Sequence, residues 1–471
     1  MQAESSSEHK DTTTGVATEP MDDIALRVSP SSSTTINTTN PTIHDQASET
    51  PNDKRNDTLD TISSSGTSVM SVLSDITDFA DPYPYRTMSR AINGNIPPLY
   101  PSPGSKVNST VIADAEDVKA QYQEAEGRMK PVPEVAAEME KWYWNVDRYG
   151  FMFDEQTSLN APNRAHTERE ISRAEKWQRM AKRVRRQNME VFDFAWTAKL
   201  VARVYKGVPD SWRREVWYYF VTGGLRDFDE DVELLAKYKE LLDQSSEHDR
   251  QIDLDIPRTM HGHVLFRTRY GYGQRALFNV LRAFAILDPK VGYCQGMTNV
   301  AAMLLLYFEE ERCFTGLMHM FERYRLRNLF VPGFPALMEA FFVQERLMEM
   351  LIPKVAKHLD NLMISSSSYA TRWYITLYTG AVIPYHLLLR IWDLMFLCGF
   401  DILIYTAIAL LKWHQEFIIS AEFETIMERL NGLLTVHDDD KFVHLIRKLY
   451  EKGQSRCLTD RLRGDYTKST S

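Results

Sequence analysis

Two short segments carry side chains suited to work on a phosphate group and the water that attacks it. The first is Val291-Gly-Tyr-Cys-Gln-Gly-Met297, polar and broken by glycines. Its Gln295 carries a carboxamide that donates and accepts hydrogen bonds at once, which is what holding a water molecule demands. The second, Ile252-Asp-Leu-Asp-Ile-Pro-Arg-Thr259, lies some forty residues earlier. Pro257 fixes its own backbone angle and disfavours helical geometry at Ile256, so Arg258 is expected on a stiff loop. A guanidinium presented in this way can grip phosphate oxygens. Asp255 can orient that loop by accepting hydrogen bonds from backbone amides or from Arg258 itself. Thr259, Tyr293 and Gly296 lie within the two segments as further loop-orienting positions.

Cys294 raises a second chemistry, a thiol hydrolase served by His261 or His263. No basic cluster flanks the cysteine to stabilise a thiolate, so this is the weaker reading. A metal site on the two histidines lacks cysteine or acidic ligands at zinc spacing. The phosphate-cradling pattern GxxxxGK[ST] is absent, so the chain is not expected to bind and hydrolyse a nucleotide by itself.

Rigid elements must hold these segments. Leu277, Val280, Leu281 and Phe284 recur at helical spacing between 276 and 287, and Asp288-Pro289 ends the pattern. The stretch 300–308 is almost wholly apolar and reads as a buried helix, which puts Gln295 at a helix entrance. Further helical patterns fill 207–450, including 234–242, 341–352, 373–378, 386–397, 402–419 and 442–450, separated by Gly, Pro, Ser or Asp clusters. Strand alternation is scarce, so an all-α domain of one or two helical lobes is expected.

The two chemical segments, in this order and at this distance, resemble the IxxDxxRT and YxQGM signatures of the TBC-domain family, the GTPase-activating proteins for Rab GTPases. The resemblance extends over roughly two hundred residues. Gly207-Val208-Pro209 with Arg213 and Trp217 is similar to the family's opening element. Trp373, Pro384 and Arg390-Ile391-Trp392-Asp393 up to Gly399 are similar to its closing one. One departure comes after Thr259, where Met260-His261 replaces the usual aromatic and proline. The resemblance implies a two-lobed helical domain acting on a GTP-bound Rab. Arg258 would be an arginine finger and Gln295 a glutamine finger that positions the water. GTP and Mg²⁺ would belong to the partner, with no cofactor in this chain. Arg213, Trp217, Trp392 and Asp393 would be structural, Arg213 pairing inside the fold, Trp392 and Asp393 packing and capping. A catalytically silent Rab-binding scaffold of the same fold is the alternative.

The rest of the chain fits a cytoplasmic protein. With net charge −9, bulk electrostatics give no sign of a nucleic-acid partner. The four cysteines lack paired spacing and read as reduced thiols. The N-terminus has no secretory pattern, and no apolar run reaches the roughly 20 residues of a membrane span, so membrane association would be peripheral and come through the Rab. Residues 1–110 are rich in Ser, Thr, Asp, Asn and Pro and are expected to be disordered, with a short apolar cluster at 69–76 and a stiff Pro97-Pro98-Leu99-Tyr100-Pro101 piece. Residues 111–206 form a helical lead-in. It holds an aromatic cluster (Trp142, Tyr143, Trp144, Tyr149, Phe151, Phe153) around Asp147-Arg148-Tyr149-Gly150-Phe151, similar to a DxYGF element ahead of many TBC domains. A basic amphipathic helix over 172–191 is expected to pack its Trp177 face on the helical domain C-terminal to it. The domain core spans 207–399, helices over 400–452 complete it, and 453–471 is expected to be a flexible tail.

Overall fold

The computed structural model describes residues 109–127, 146–152, 164–186 and 189–470, all within one compact unit. The expectations for 1–108, including the 69–76 cluster and the Pro97–Pro101 piece, lie outside the described residues. So do Trp142, Tyr143, Trp144 and Phe153. The described structure is helical except for one hairpin and two isolated bridges. None of its helices is long and apolar enough to cross a membrane.

The helix Tyr272–Leu287 is the hub of the first half. Ala276, Leu277, Val280, Leu281, Ala283 and Phe284 are each at most 1% exposed, and the helix packs on Met297–Leu305, Glu310–Arg323 and the arginine-bearing Asp249–Asp255. A second group gathers around Pro335–Leu351 and Asp401–Trp413, with Asp439–Gln454 and Leu458–Thr470 against them. The helix Tyr385–Cys398 touches both Asp210–Val221 from the first half and Asp401–Trp413 from the second.

Three expectations need correction. The helix over 172–191 ends early: Arg164–Gln178 is helical, and an antiparallel hairpin pairs Ala181–Arg186 with Met189–Phe194. Valine and phenylalanine at 184, 191, 192 and 194 suit a strand, and the aromatic contacts of Phe192 and Phe194 with Trp212, and of Phe194 with Trp177 and Tyr219, decide for it. Trp177 itself is buried, as expected. The tail beyond 453 is not flexible: Leu458–Thr470 forms a helix. Its Leu458 and Leu462 are buried, and Arg463 bonds both Glu339 and Asp401, so a short apolar stripe and one arginine outweigh its polar composition. The expected disordered segment also ends slightly too late, because a helix begins at Ser109.

Candidate functional site

Arg258 is reached through a seven-residue helix, Asp249–Asp255, that tightens into a 3₁₀ turn, Ile256–Arg258. The expected extended geometry at Ile256 is not found. Its φ and ψ are −56° and −49°, because Ile256 is fully buried and Pro257 occupies the first turn, where its missing N–H is not needed. The chain turns extended only at Thr259, whose hydroxyl donates back to the Asp255 carbonyl at 2.8 Å. Met260 then takes a left-handed backbone (φ 46°), so the departure at this position is accommodated by an unusual residue in a tight turn.

Asp255 joins the two chemical segments. One carboxylate oxygen accepts from the Arg258 guanidinium and from Gln251 Nε2 at 3.3 Å; the other accepts from the Tyr293 hydroxyl. The carboxylate is 2% exposed and the Arg258 side chain 38%, so the arginine is anchored at its base and open to solvent beyond. Burial pushes the Asp255 carboxyl up, and Arg258, Tyr293 and Gln251 oppose the shift by favouring the charged form. Burial and the Asp255 charge push the Tyr293 phenol well up, so it remains a donor to that carboxylate.

A second contact ties the segments. Gly292 has φ 59°, and a Cβ there would lie 2.5 Å from His248 Nε2, at the entrance of the arginine-bearing helix. Gly296 has φ 100° and stands just before Met297–Leu305; a Cβ on it would overlap Ile375. Both glycines are required by backbone conformation and by close approach. Gln295, half-buried between them, makes no side-chain hydrogen bond among the described residues. The site therefore offers an anchored guanidinium and an amide with its hydrogen-bonding capacity unspent.

His263 has a structural part here. Its Nδ1 accepts from the Leu265 amide at 3.1 Å, leaving Nε2–H to donate to the Tyr149 carbonyl at 2.8 Å. Burial lowers its pKa to about 4. With both nitrogens engaged it is poorly placed to serve Cys294, whose buried thiol donates to the Gln295 carbonyl. Sequence reasoning missed His248 and this role of His263, since each acts through a contact with a distant segment, and it missed Gln251, which meets Asp255 one helical turn on.

The structural residues meet elsewhere. Arg213 Nε donates to Asp393 Oδ1 at 3.1 Å, Trp217 Nε1 to the same oxygen at 2.8 Å, and the Val208 amide to Oδ2 at 3.1 Å. Asp393 sits inside Tyr385–Cys398 and is fully buried, so it does not cap its own helix; it anchors the chain ahead of Asp210–Val221. Trp392 packs on Trp217 and donates to the Leu377 carbonyl at 2.9 Å.

Residues 210–419 match the Rab-GTPase-TBC domain. Over 310 residues the chain is 36% identical to a TBC domain-containing protein of Schizosaccharomyces pombe, covering 64% of this chain and 73% of that protein. The chain belongs to the TBC-domain family. It is also 30% identical over 260 residues to the Rab GTPase-activating protein tbc-11 of Caenorhabditis elegans, covering 55% of this chain but 26% of that longer protein. The crystal structure of the Chlamydomonas flagellar RabGAP TBC domain shares the fold, with TM-score 0.51 and 21% identity over 64% of this chain and 97% of that one. In this TBC protein Arg258 and Gln295 both fall within the matched range.

Proposed function

We propose that this chain is a GTPase-activating protein for a Rab-family GTPase, supplying Arg258 and Gln295 in trans to the partner's bound GTP. The nucleotide and its Mg²⁺ belong to the GTPase. Hydrolysis there is slow because charge builds on the phosphate oxygens and the attacking water is loosely held. Arg258 neutralises that charge, a contribution on the order of 10³ to 10⁵ in rate, or roughly 4 to 7 kcal/mol of barrier. Gln295 holds the water in place of the GTPase's own glutamine. The observation that carries this reading is the shared Asp255 carboxylate, which couples the Arg258 turn to the segment bearing Gln295 through Tyr293. A Rab GTPase-activating protein among the relatives supports the same partner class. The chain would act in the cytoplasm, meeting membranes and vesicle traffic through the Rab it engages.

The test is single-turnover GTP hydrolysis by a panel of Rab proteins, followed on the responsive one by a two-by-two of wild type and Gln→Ala in each partner. The Rab variant should still be activated, and Gln295→Ala should lose most activation even with wild-type Rab. Activation that dies with the Rab glutamine and survives Gln295→Ala would sink the glutamine assignment. A panel with no response would leave a Rab-binding scaffold.

A further inference from the structure

The family match begins at Asp210, yet two elements ahead of it grip the arginine-bearing segment from either side. Before Arg258, the helix Ser109–Gly127 packs on Asp249–Asp255. Ala115 and Tyr122 are buried on one face of it, with Val118 packed between them. The Tyr122 ring stacks on Phe278 at 4.1 Å, and its hydroxyl donates to Asp253 Oδ1 at 2.8 Å. Arg250 pairs with Asp114 at 2.6 Å. The Tyr270 hydroxyl donates to Gln121 at 2.5 Å, and Arg269 binds Asp253 at 2.6 Å. Arg250 and Asp253 are three apart and so share a face of the arginine-bearing helix, which is held along that face.

After Arg258, the turn 147–151 takes hold. Asp147 Oδ1 accepts from the Tyr149 and Phe151 amides at 2.8 and 2.9 Å, closing the turn on itself. The Met152 amide donates to the Gly262 carbonyl at 2.9 Å and the Val264 amide to the Gly150 carbonyl at 3.0 Å, so the turn pairs with the backbone just past Met260. Gly150 has φ 92°, and a Cβ on it would lie 2.5 Å from His263 Nε2, the atom bound to Tyr149.

A seven-residue helix is too short to be stable by itself in water. Misplacing a catalytic group by about 1 Å can cost on the order of a hundredfold in rate. We propose that the Ser109–Gly127 helix and the turn 147–151 are positioning elements for Arg258, splinting its segment on both sides without touching the GTPase. The catalytic unit of this protein thus extends well ahead of the matched domain. This rests on Arg258 being the arginine supplied in trans.

The experiment uses the full chain with Tyr122→Ala, Tyr122→Phe and Gly150→Ala, read by single-turnover hydrolysis on a responsive Rab as the concentration of the chain is raised to saturation. Tyr122→Ala and Gly150→Ala should lower the saturated rate by about tenfold, with the half-saturating concentration within about twofold of wild type. Tyr122→Phe keeps the stack on Phe278 and loses only the bond to Asp253, so it should show a smaller loss of the same kind. Each variant is repeated on Arg258→Lys, where the residual acceleration is still large enough to show a further tenfold drop. The added losses should nearly vanish there, because no guanidinium fork remains to be placed. Losses that persist in full on Arg258→Lys mean general support of the fold and overturn the inference, as does an effect confined to the half-saturating concentration. Should Tyr122→Ala fail to fold by circular dichroism, Tyr122→Phe combined with Arg250→Gln applies the same test. If Arg258→Lys alone leaves the rate unchanged, the arginine reading falls and this inference with it; additive losses on a weakened Arg258→Lys sink this inference alone.

Discussion

Arg258 and Asp255 form a pair with one partner buried and the other open, and that asymmetry defines what each can do. A buried carboxylate that also accepts from Tyr293 cannot leave, whereas an exposed guanidinium can turn part of its fork to a phosphate. Lysine keeps the charge and loses the planar fork, so Arg258→Lys should cut Rab activation by at least about a hundredfold with the circular dichroism spectrum unchanged. Near-full activity would make Arg258 a steering charge. His263 allows a second prediction at this scale. Its folded pKa, about 4, lies below the ordinary histidine value, so the unfolded chain binds the proton first. Its stabilising contribution is therefore complete above about pH 6.5 and is lost as pH falls toward 4, reaching about 2 kcal/mol by pH 5. His263→Asn should be less stable than wild type at pH 7.5, and the gap should narrow by about that amount at pH 5 in denaturant titrations. Asp249, whose burial pushes its carboxyl up to about 6, has the opposite sign: its contribution falls as pH rises from about 4 through 6. It is present in both proteins and cancels in the comparison. A gap independent of pH would mean that His263 is not buried neutral.

Among the elements, the short glycine-bounded segment 292–296 is tightly constrained. Gly296 holds a left-handed backbone against Ile375, so the entrance to Met297–Leu305 has room for no side chain. An alanine there costs about 1–2 kcal/mol in backbone strain before the overlap is counted. Gly296→Ala should lower Tm by several degrees and reduce the saturated activation rate, because relief of the overlap must shift Gln295. A variant that loses stability yet keeps full activation per folded molecule would separate Gln295 from this turn. The Ile256–Arg258 turn makes a related point. Proline was expected to force its neighbour extended, but full burial of Ile256 keeps it helical, and Arg258 stays close to Asp255 as a result.

Across the whole molecule, the opening and closing elements meet on one buried carboxylate. Asp393 accepts from Arg213, Trp217 and the Val208 amide, and Arg390 reaches the Tyr205 carbonyl at 2.9 Å. Arg213 is 5% exposed and keeps Asp210 and the Val208 carbonyl, so Asp393→Ala removes a buried counter-charge and leaves the Trp217 and Val208 N–H groups without their acceptor. The expected cost is about 3–5 kcal/mol, seen as a Tm lower by on the order of 10 °C, with activation per folded molecule preserved at low temperature. Loss of activation without loss of Tm would assign Asp393 to the chemistry and remove it from the scaffold.

The helical class, the candidate residues Arg258 and Gln295 and the pairing of Arg213 inside the fold were legible in the sequence, because helical periodicity, glycine and proline placement and motif spacing are local signals. So was the burial of Trp177. The hairpin at 181–194 was not, since its strands are set by aromatic contacts with Trp212 and Tyr219. Nor was the final helix, which depends on Arg463 meeting Glu339 and Asp401 from two other helices. The Ala115, Val118 and Tyr122 spacing could have revealed the first described helix, though not its partner. That Tyr122 lands on Asp253, that Gly150 lands on His263 and that Tyr293 shares the Asp255 carboxylate are facts of tertiary structure alone. Each joins residues far apart in the chain through one hydrogen bond or one close approach, and local spacing carries no record of which distant group will arrive.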